Sequence, residues 1–256
     1  MLNWKSVDTI YTYDGTFEGF LTIVFDCYQN KLMPKDIVSV GLNICAQQEI
    51  VLYKNEYIET DFNKSYRVFN GIKDNISEDC LNYVYNAFLA CDIKKDINIF
   101  EYIFYGFKFG PRVNTMLSVD TILYVQKLSR KVMLEVQRMK GFIRFNEIVP
   151  ELFYSKITPD NNILELLKPH FTHRFKKQNF IIHDTKRNLA LLYNTNDSVI
   201  SEFKNITISK LNSNEIYYQD LWKAFRESIS IKERANPRLQ KQYMPKRYWE
   251  NMNEIK

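Results

Sequence analysis

The hydrophobic rhythm of this chain changes repeatedly between Phe142 and Tyr193, and any fold proposed for it has to accommodate those changes. From Phe142 to Val149 the pattern alternates, with Ile143 and Phe145 on one face and Arg144 and Asn146 on the other, which predicts a strand. Val149-Pro150-Glu151 predicts a turn, because proline locks φ and brings no N–H to a ladder. Leu152 to Ile157 predicts the partner strand. From Ile163 the apolar spacing lengthens to Ile163, Leu167, Phe171 and Phe175, which lines one face of a helix. Pro169 is expected to interrupt that helix or restart it after a bend, so that His170, His173 and Arg174 sit on a separately aimed final turn. Phe180 to Asp184 and Leu189 to Tyr193 predict two short strands around the polar turn Thr185 to Asn188. Strand, strand, helix, strand, strand is an α+β order, here expected to build an antiparallel sheet.

Upstream, the chain reads as helix-rich with a few strands. Thr9 to Tyr13 alternates as an edge strand, Asp14-Gly15 turns, and Thr16 caps a core helix from Phe17 to Tyr28 with Glu18 in its first turn. Glu49 to Glu59 and Tyr66 to Phe69 read as further strands. Ser77 opens a helix to about Ala90, Asp96 caps another to about Gly106, and Gly110-Pro111 marks a break. Ser118 and Val119 open a long helix to about Lys140, expected to join the two halves. Downstream, Asp197 to Phe203 and Thr207 to Leu211 add strands or a loop, Ile216 to Ile229 is an amphipathic helix, and the tail from Lys232 loses helical periodicity. The expected division is an acidic, mostly helical region over 1–140 and a basic α/β module with a C-terminal helix and docked tail over 141–256, or one continuous domain.

With 17 Tyr and 18 Phe against 7 Gly and 7 Pro, the chain has many rings and few breakers, so a folded, core-rich protein with short loops is expected. No run of about 18 apolar residues exists, and no membrane span is expected. MLNWKSVDTIYTYDG has neither a basic region followed by an apolar core nor a cleavage site, which points to the cytoplasm. Cys27, Cys45, Cys80 and Cys91 are scattered without CxxC spacing and are expected as free thiols, with Cys27 and Cys80 buried.

Charge divides unevenly. Residues 1–126 hold eleven Lys+Arg against sixteen Asp+Glu, and residues 127–256 hold twenty-four against fourteen. A basic half joined to an acidic one points to a polyanion partner on the basic side, since each cation near a phosphate releases a condensed counterion. The residues proposed to grip it are Arg138, Lys140, Arg144, His170, Arg174 and Arg187, joined by a tail in which Arg234, Arg238, Lys241, Lys246 and Arg247 interleave with Tyr243, Tyr248 and Trp249. The alternative for those rings is that they strap the tail onto the body.

Signals for chemistry are weaker. YDGTFEG lacks both the Walker lysine and the third glycine of a dinucleotide site, and GFKFG reads better as helix termination. There is no GxSxG elbow and no HxE with PCxxC deaminase pattern. His170, His173 and His183 could share a metal ion if the fold converges them, although histidines among arginines more often serve phosphate or backbone. His173, His183 and Asp184 are the candidate catalytic residues, and Asp184 reads equally as a turn aspartate holding its own backbone. No cofactor is expected.

The segments YDGTFEGFLT, RMKGFIRF, ITPDNNILELLKPHFTHRF, IIHDTKRNLA and NPRLQKQYMPKRYW occur in that order and carry a resemblance. The chain resembles a bacterial family of DNA-metabolism proteins of unknown function, encoded beside a DNA-repair or modification protein of the radical SAM class related to spore photoproduct lyase. In some bacteria the same domain is fused to a uracil-DNA glycosylase-like domain. No such segment follows Trp249 here, so glycosylase activity is not expected. The resemblance implies a DNA context, a DNA-binding accessory role and a radical SAM protein partner; the alternative is a repair enzyme acting on a flipped or damaged nucleotide.

Overall fold

The computed structural model describes residues 4–40, 53–203, 221, 224 and 236–252. Two compact units divide the chain, Met1–Met133 and Leu134–Lys256. The architecture is α+β throughout, with helices dominating the first unit and a five-stranded mixed sheet organising the second.

In the first unit β1 (Lys5–Ser6) pairs in parallel with β3 (Leu32–Met33), and β2 (Thr9–Tyr13) lies between β4 (Asp36–Ser39) and β5 (Lys54–Tyr57) in a parallel three-stranded sheet. β2 is therefore a central strand and not the expected edge. All five of its residues are buried, as parallel sheets covered by helices require. Asp14 and Gly15 turn the chain with Gly15 at φ 85°, and Thr16 Oγ1 accepts from Gly19 N–H at 3.0 Å to cap α1 (Phe17–Asn30). The Asp14 carboxylate fills this loop, accepting from Thr16 N–H at 2.9 Å and Thr60 Oγ1–H at 2.8 Å, so an acid stands where a phosphate loop would place its anion.

The strand expected over Tyr66 to Phe69 is part of α2 (Phe62–Asn75), which Asp61 caps through the N–H groups of Asn63 and Lys64. A helix wins because Ser65, Val68 and Ile72 present a buried stripe at helical spacing. Ser77 caps α3 (Glu78–Phe88) as expected, with its Oγ accepting from Cys80 N–H at 3.0 Å. Asp96 does not cap α4 (Lys95–Phe109). It is buried in the first turn, where Oδ2 accepts from the Tyr13 hydroxyl at 3.0 Å. Gly110, at φ 62°, ends α4 and opens a 3-10 turn over Gly110–Thr115 before α5 (Asp120–Phe142), inside which the division between units falls. Cys27 and Cys80 are free and buried, burial pushing each thiol up to about 12. Cys91 is disulfide-bonded rather than free. β5 falls within the strand expected from Glu49 to Glu59, while Cys45 and residues 49–52 lie outside the described residues.

In the second unit β6 (Asn146–Val149), β7 (Leu152–Ile157), β8 (Asn179–Asp184), β9 (Leu189–Tyr193) and β10 (Ser198–Glu202) form one sheet in the order β10-β9-β8-β7-β6. β6 starts later than the alternation suggested, because α5 continues through Phe142. The sheet is not wholly antiparallel. β7 and β8 run parallel, Tyr154 opposite Ile181 and Lys156 opposite His183, because α6 (Leu164–Arg174) crosses over between them. α6 runs through Pro169 without a break, held against the sheet by Leu164, Leu167 and Phe171. Phe145, Phe171, Phe175 and Phe180 pack ring to ring with centroids 4.9 to 6.2 Å apart beneath it. The tail regains a helix that periodicity missed, α7 (Pro237–Tyr243), where Asn236 caps and Pro237 occupies the first turn. The expected strand Thr207 to Leu211 and helix Ile216 to Ile229 fall outside the described residues, apart from 221 and 224. Among the described residues no helix is long and apolar enough to cross a membrane.

Candidate nucleic-acid interface

The last turns of α5 and α6 bring together part of the expected cationic set. His170, His173 and Arg174 stand at i, i+3 and i+4 on α6 and so share a face. Burial holds the His170 imidazole below its ordinary pKa, and the neighbouring charges of Lys140, Arg174 and His173 lower it further; no acid is among the charges that shift it. His170 Nε2 is buried with no hydrogen-bond partner among the described residues. His173, Arg174, Lys176 and Lys177 are exposed. Arg144 spends one guanidinium nitrogen on the C-terminal carbonyls of α5, donating to Gly141 O at 2.6 Å and Ile143 O at 3.2 Å. Arg138 is half-buried on α5, while Arg238 and Lys241 are exposed on α7.

The remaining arginines are committed elsewhere. Arg187, only 9% exposed, pairs with the fully buried Asp184 at 2.9 Å and also donates to the carbonyls of Pro159 and Asp160. Asp184 Oδ1 accepts from the N–H groups of Lys186 and Arg187, so it is the turn aspartate holding its own backbone. Burial raises its pKa while Arg187 opposes the rise. Arg247 pairs with Asp160 at 2.9 Å and donates to the Tyr248 hydroxyl at 2.9 Å. Lys186 also reaches Asp160, at 3.6 Å. Tyr248 is buried and straps the tail, whereas Trp249 donates its indole N–H to Met244 O at 2.9 Å and lies under Lys246 at 5.9 Å. Tyr243 is 64% exposed. Arg234 lies outside the described residues.

The candidate catalytic and metal residues do not converge. His183 and Asp184 follow one another on β8, and successive strand residues point to opposite faces. His183 shares its face with Tyr154, Ile181 and Ala190, while α6 packs on the Phe180 face. The sheet thus stands between His183 and the two histidines of α6. His183 Nδ1 hydrogen-bonds the Tyr154 hydroxyl at 2.8 Å, and its ring meets Phe203 edge-on at 5.0 Å. Burial lowers its pKa. Among the described residues, no three His, Cys, Asp or Glu side chains are grouped so as to hold a metal ion.

Residues 94–254 match the family model of a domain of unknown function, DUF4130. The chain belongs to the DUF4130 family. No curated protein matches the sequence. The DUF4130 segment contains a buried polar node that charge counting alone did not reveal. Glu135, on α5, accepts from Asp160 N–H at 2.8 Å, from Asn161 N–H at 2.9 Å and Nδ2 at 2.6 Å, and from the Tyr248 hydroxyl at 2.5 Å. The signal was present in the sequence: Glu135 interrupts the buried stripe Val132, Val136 and Met139 at helical spacing, and a carboxylate in such a stripe needs donors.

Proposed function

We propose that this DUF4130 protein is a DNA-binding accessory factor in DNA repair or modification, acting beside a radical SAM enzyme. The observation that carries the DNA reading is the cluster of Lys140, His170, His173 and Arg174, continued by Lys176 and Lys177, in which Lys140, Arg174 and His173, and no acid, are the neighbours that lower the His170 pKa beyond burial. Unshielded cations that share one surface suit a phosphate backbone, which is gripped by charge without reading sequence. Arg187 and Arg247 drop out of the gripping set, because their carboxylate partners already neutralise them. The radical SAM association rests on the family resemblance.

The alternative of an enzyme working through His173, His183 and Asp184 gains nothing from the geometry, since His183 points to the face of the sheet opposite Asp184 and α6, and Asp184 is committed to Arg187 and its own turn. Titration of fluorescent single-stranded and duplex oligonucleotides against the wild-type protein and a Lys140→Ala, His173→Ala, Arg174→Ala variant tests the proposal. Equal affinity for both proteins at every salt concentration would overturn it.

A further inference from the structure

Helix α2 carries two apolar stripes, and the core uses only one. Ser65, Val68 and Ile72 face inward, while Phe62, Tyr66 and Phe69, at i, i+4 and i+7, lie 72%, 67% and 36% exposed. This outer stripe forms one wall of an open groove of about 710 Å³, with Leu81 and Tyr85 of α3 on the other side and Phe17 and Leu21 of α1 at its base. Phe17 packs edge-on against Tyr85 at 5.2 Å and tilted against Phe88 at 5.1 Å, so the base is a rigid aromatic platform. Exposed aromatic rows of this kind mark interaction sites rather than ordinary surface. The wall from Phe62 to Phe69 runs about 10 Å at 1.5 Å per residue, which matches two turns of a docked helix.

Charge selects the occupant. Glu18 lines the groove, and among the described residues no lysine or arginine does. Glu78, exposed in the first turn of α3, precedes Leu81 and Asn82 by three and four residues and so extends the acidic rim on the same face. On α2, Lys64 is committed to Asp26 at 2.8 Å and Arg67 lies over the Phe25 ring at 4.8 Å, while the exposed Lys73 stands one turn beyond Phe69, past the end of the groove wall. An apolar trough with Glu18 and Glu78 along its rim complements a helix whose apolar face is flanked by basic residues.

We propose that the groove formed by α1, α2 and α3 docks an amphipathic helix of a partner protein, apolar along one face and flanked by lysine or arginine. This surface lies wholly within the first unit and is independent of the nucleic-acid reading.

The probe is a synthetic amphipathic peptide of about 16 residues with Leu and Phe at i, i+3, i+4 and i+7 and lysine on both flanks, titrated by fluorescence anisotropy against the full chain. A twin peptide carries glutamate on the flanks. The lysine peptide is expected to bind saturably and about tenfold more tightly than its twin, with a similar loss for Phe62→Ser or Tyr66→Ser and loss of the preference for Glu18→Lys. Phe62 and Tyr66 are largely exposed, so these variants keep the wild-type circular dichroism and melting temperature. Equal binding of the two peptides, no saturation, or binding that survives Phe62→Ser and Tyr66→Ser would overturn the proposal. So would dimerisation of the full chain that the same substitutions abolish while the lysine peptide fails to bind, which would assign the groove to a second copy.

Discussion

The Tyr248 hydroxyl donates to Glu135 Oε1 at 2.5 Å, joining residues 113 positions apart. Through this bond the 3-10 turn Lys246–Asn251 is tied to α5, and the same carboxylate also holds the loop at Asp160 and Asn161. Tyr248→Phe is expected to cost about 1–3 kcal/mol, because a buried carboxylate oxygen loses a donor. Glu135→Ala is expected to cost more, since it removes at once an acceptor of the Asn161 side chain and of two backbone N–H groups. Urea unfolding measures both, and limited proteolysis reads release of the tail.

Arg187 and Asp184 predict an asymmetric double-mutant cycle. Arg187→Ala leaves Asp184, fully buried, without its countercharge, and about 3–5 kcal/mol of stability should go with it. Replacing both partners, by Asp184→Asn and Arg187→Met, is expected to cost less than Arg187→Ala alone. Equal costs for the single and double variants in chemical denaturation would show that the pair is not the source of the effect.

Asp96 predicts a pH dependence of stability in the first unit. Burial raises its carboxyl from 3.8 to about 6, against the opposing influence of Lys95 and the Tyr13 hydroxyl. The folded protein therefore binds the Asp96 proton more tightly than the unfolded chain does. The stability this proton contributes is fully present below about pH 4 and is lost as pH rises through about 6. Asp96→Asn should accordingly gain stability relative to wild type above pH 6 and none below pH 4, as read from denaturation midpoints across that range.

The Lys140, His173, Arg174 triple alanine variant should lower DNA affinity across unrelated sequences. It should also reduce the slope of log affinity against log salt by about 2 to 3, at roughly 0.9 per phosphate contact on duplex DNA. Lys54→Ala, an exposed change in the first unit, should leave that slope unchanged.

His170 adds a proton linkage to the same surface. Burial, and after it the nearby charges of Lys140, Arg174 and His173, lower the ring's affinity for a proton, and an arriving phosphate offsets that effect and favours its protonation. Binding should therefore strengthen as pH falls from about 7.5 to about 5.5, and His170→Gln should flatten much of that dependence.

Much of the fold was legible because its signals are local. Thr16 and Ser77 cap their helices where a hydroxyl before an apolar run must, and β7 and β9 keep the limits that alternation and turn residues assign to Leu152 to Ile157 and Leu189 to Tyr193. Tyr66 to Phe69 misled because four residues rich in rings suit a strand or a helix, and the choice depended on which neighbours bury Val68 and Ile72. Even the separation of His183 from Asp184 followed from their adjacency on a strand, whatever their chemistry might suggest.

By itself the sequence determined the periodicities, caps and turns that make this an α+β chain, and an excess of positive charge toward its C-terminal half. Tertiary structure decided what no local pattern encodes: that β7 and β8 run parallel around α6, that Arg187 and Arg247 answer carboxylates while Lys140, His173 and Arg174 share the field around His170, and that Glu135 finds its donors on Asn161 and Tyr248. Charge is a property of composition, but its availability depends on which opposite charge the folded chain brings within a few ångströms.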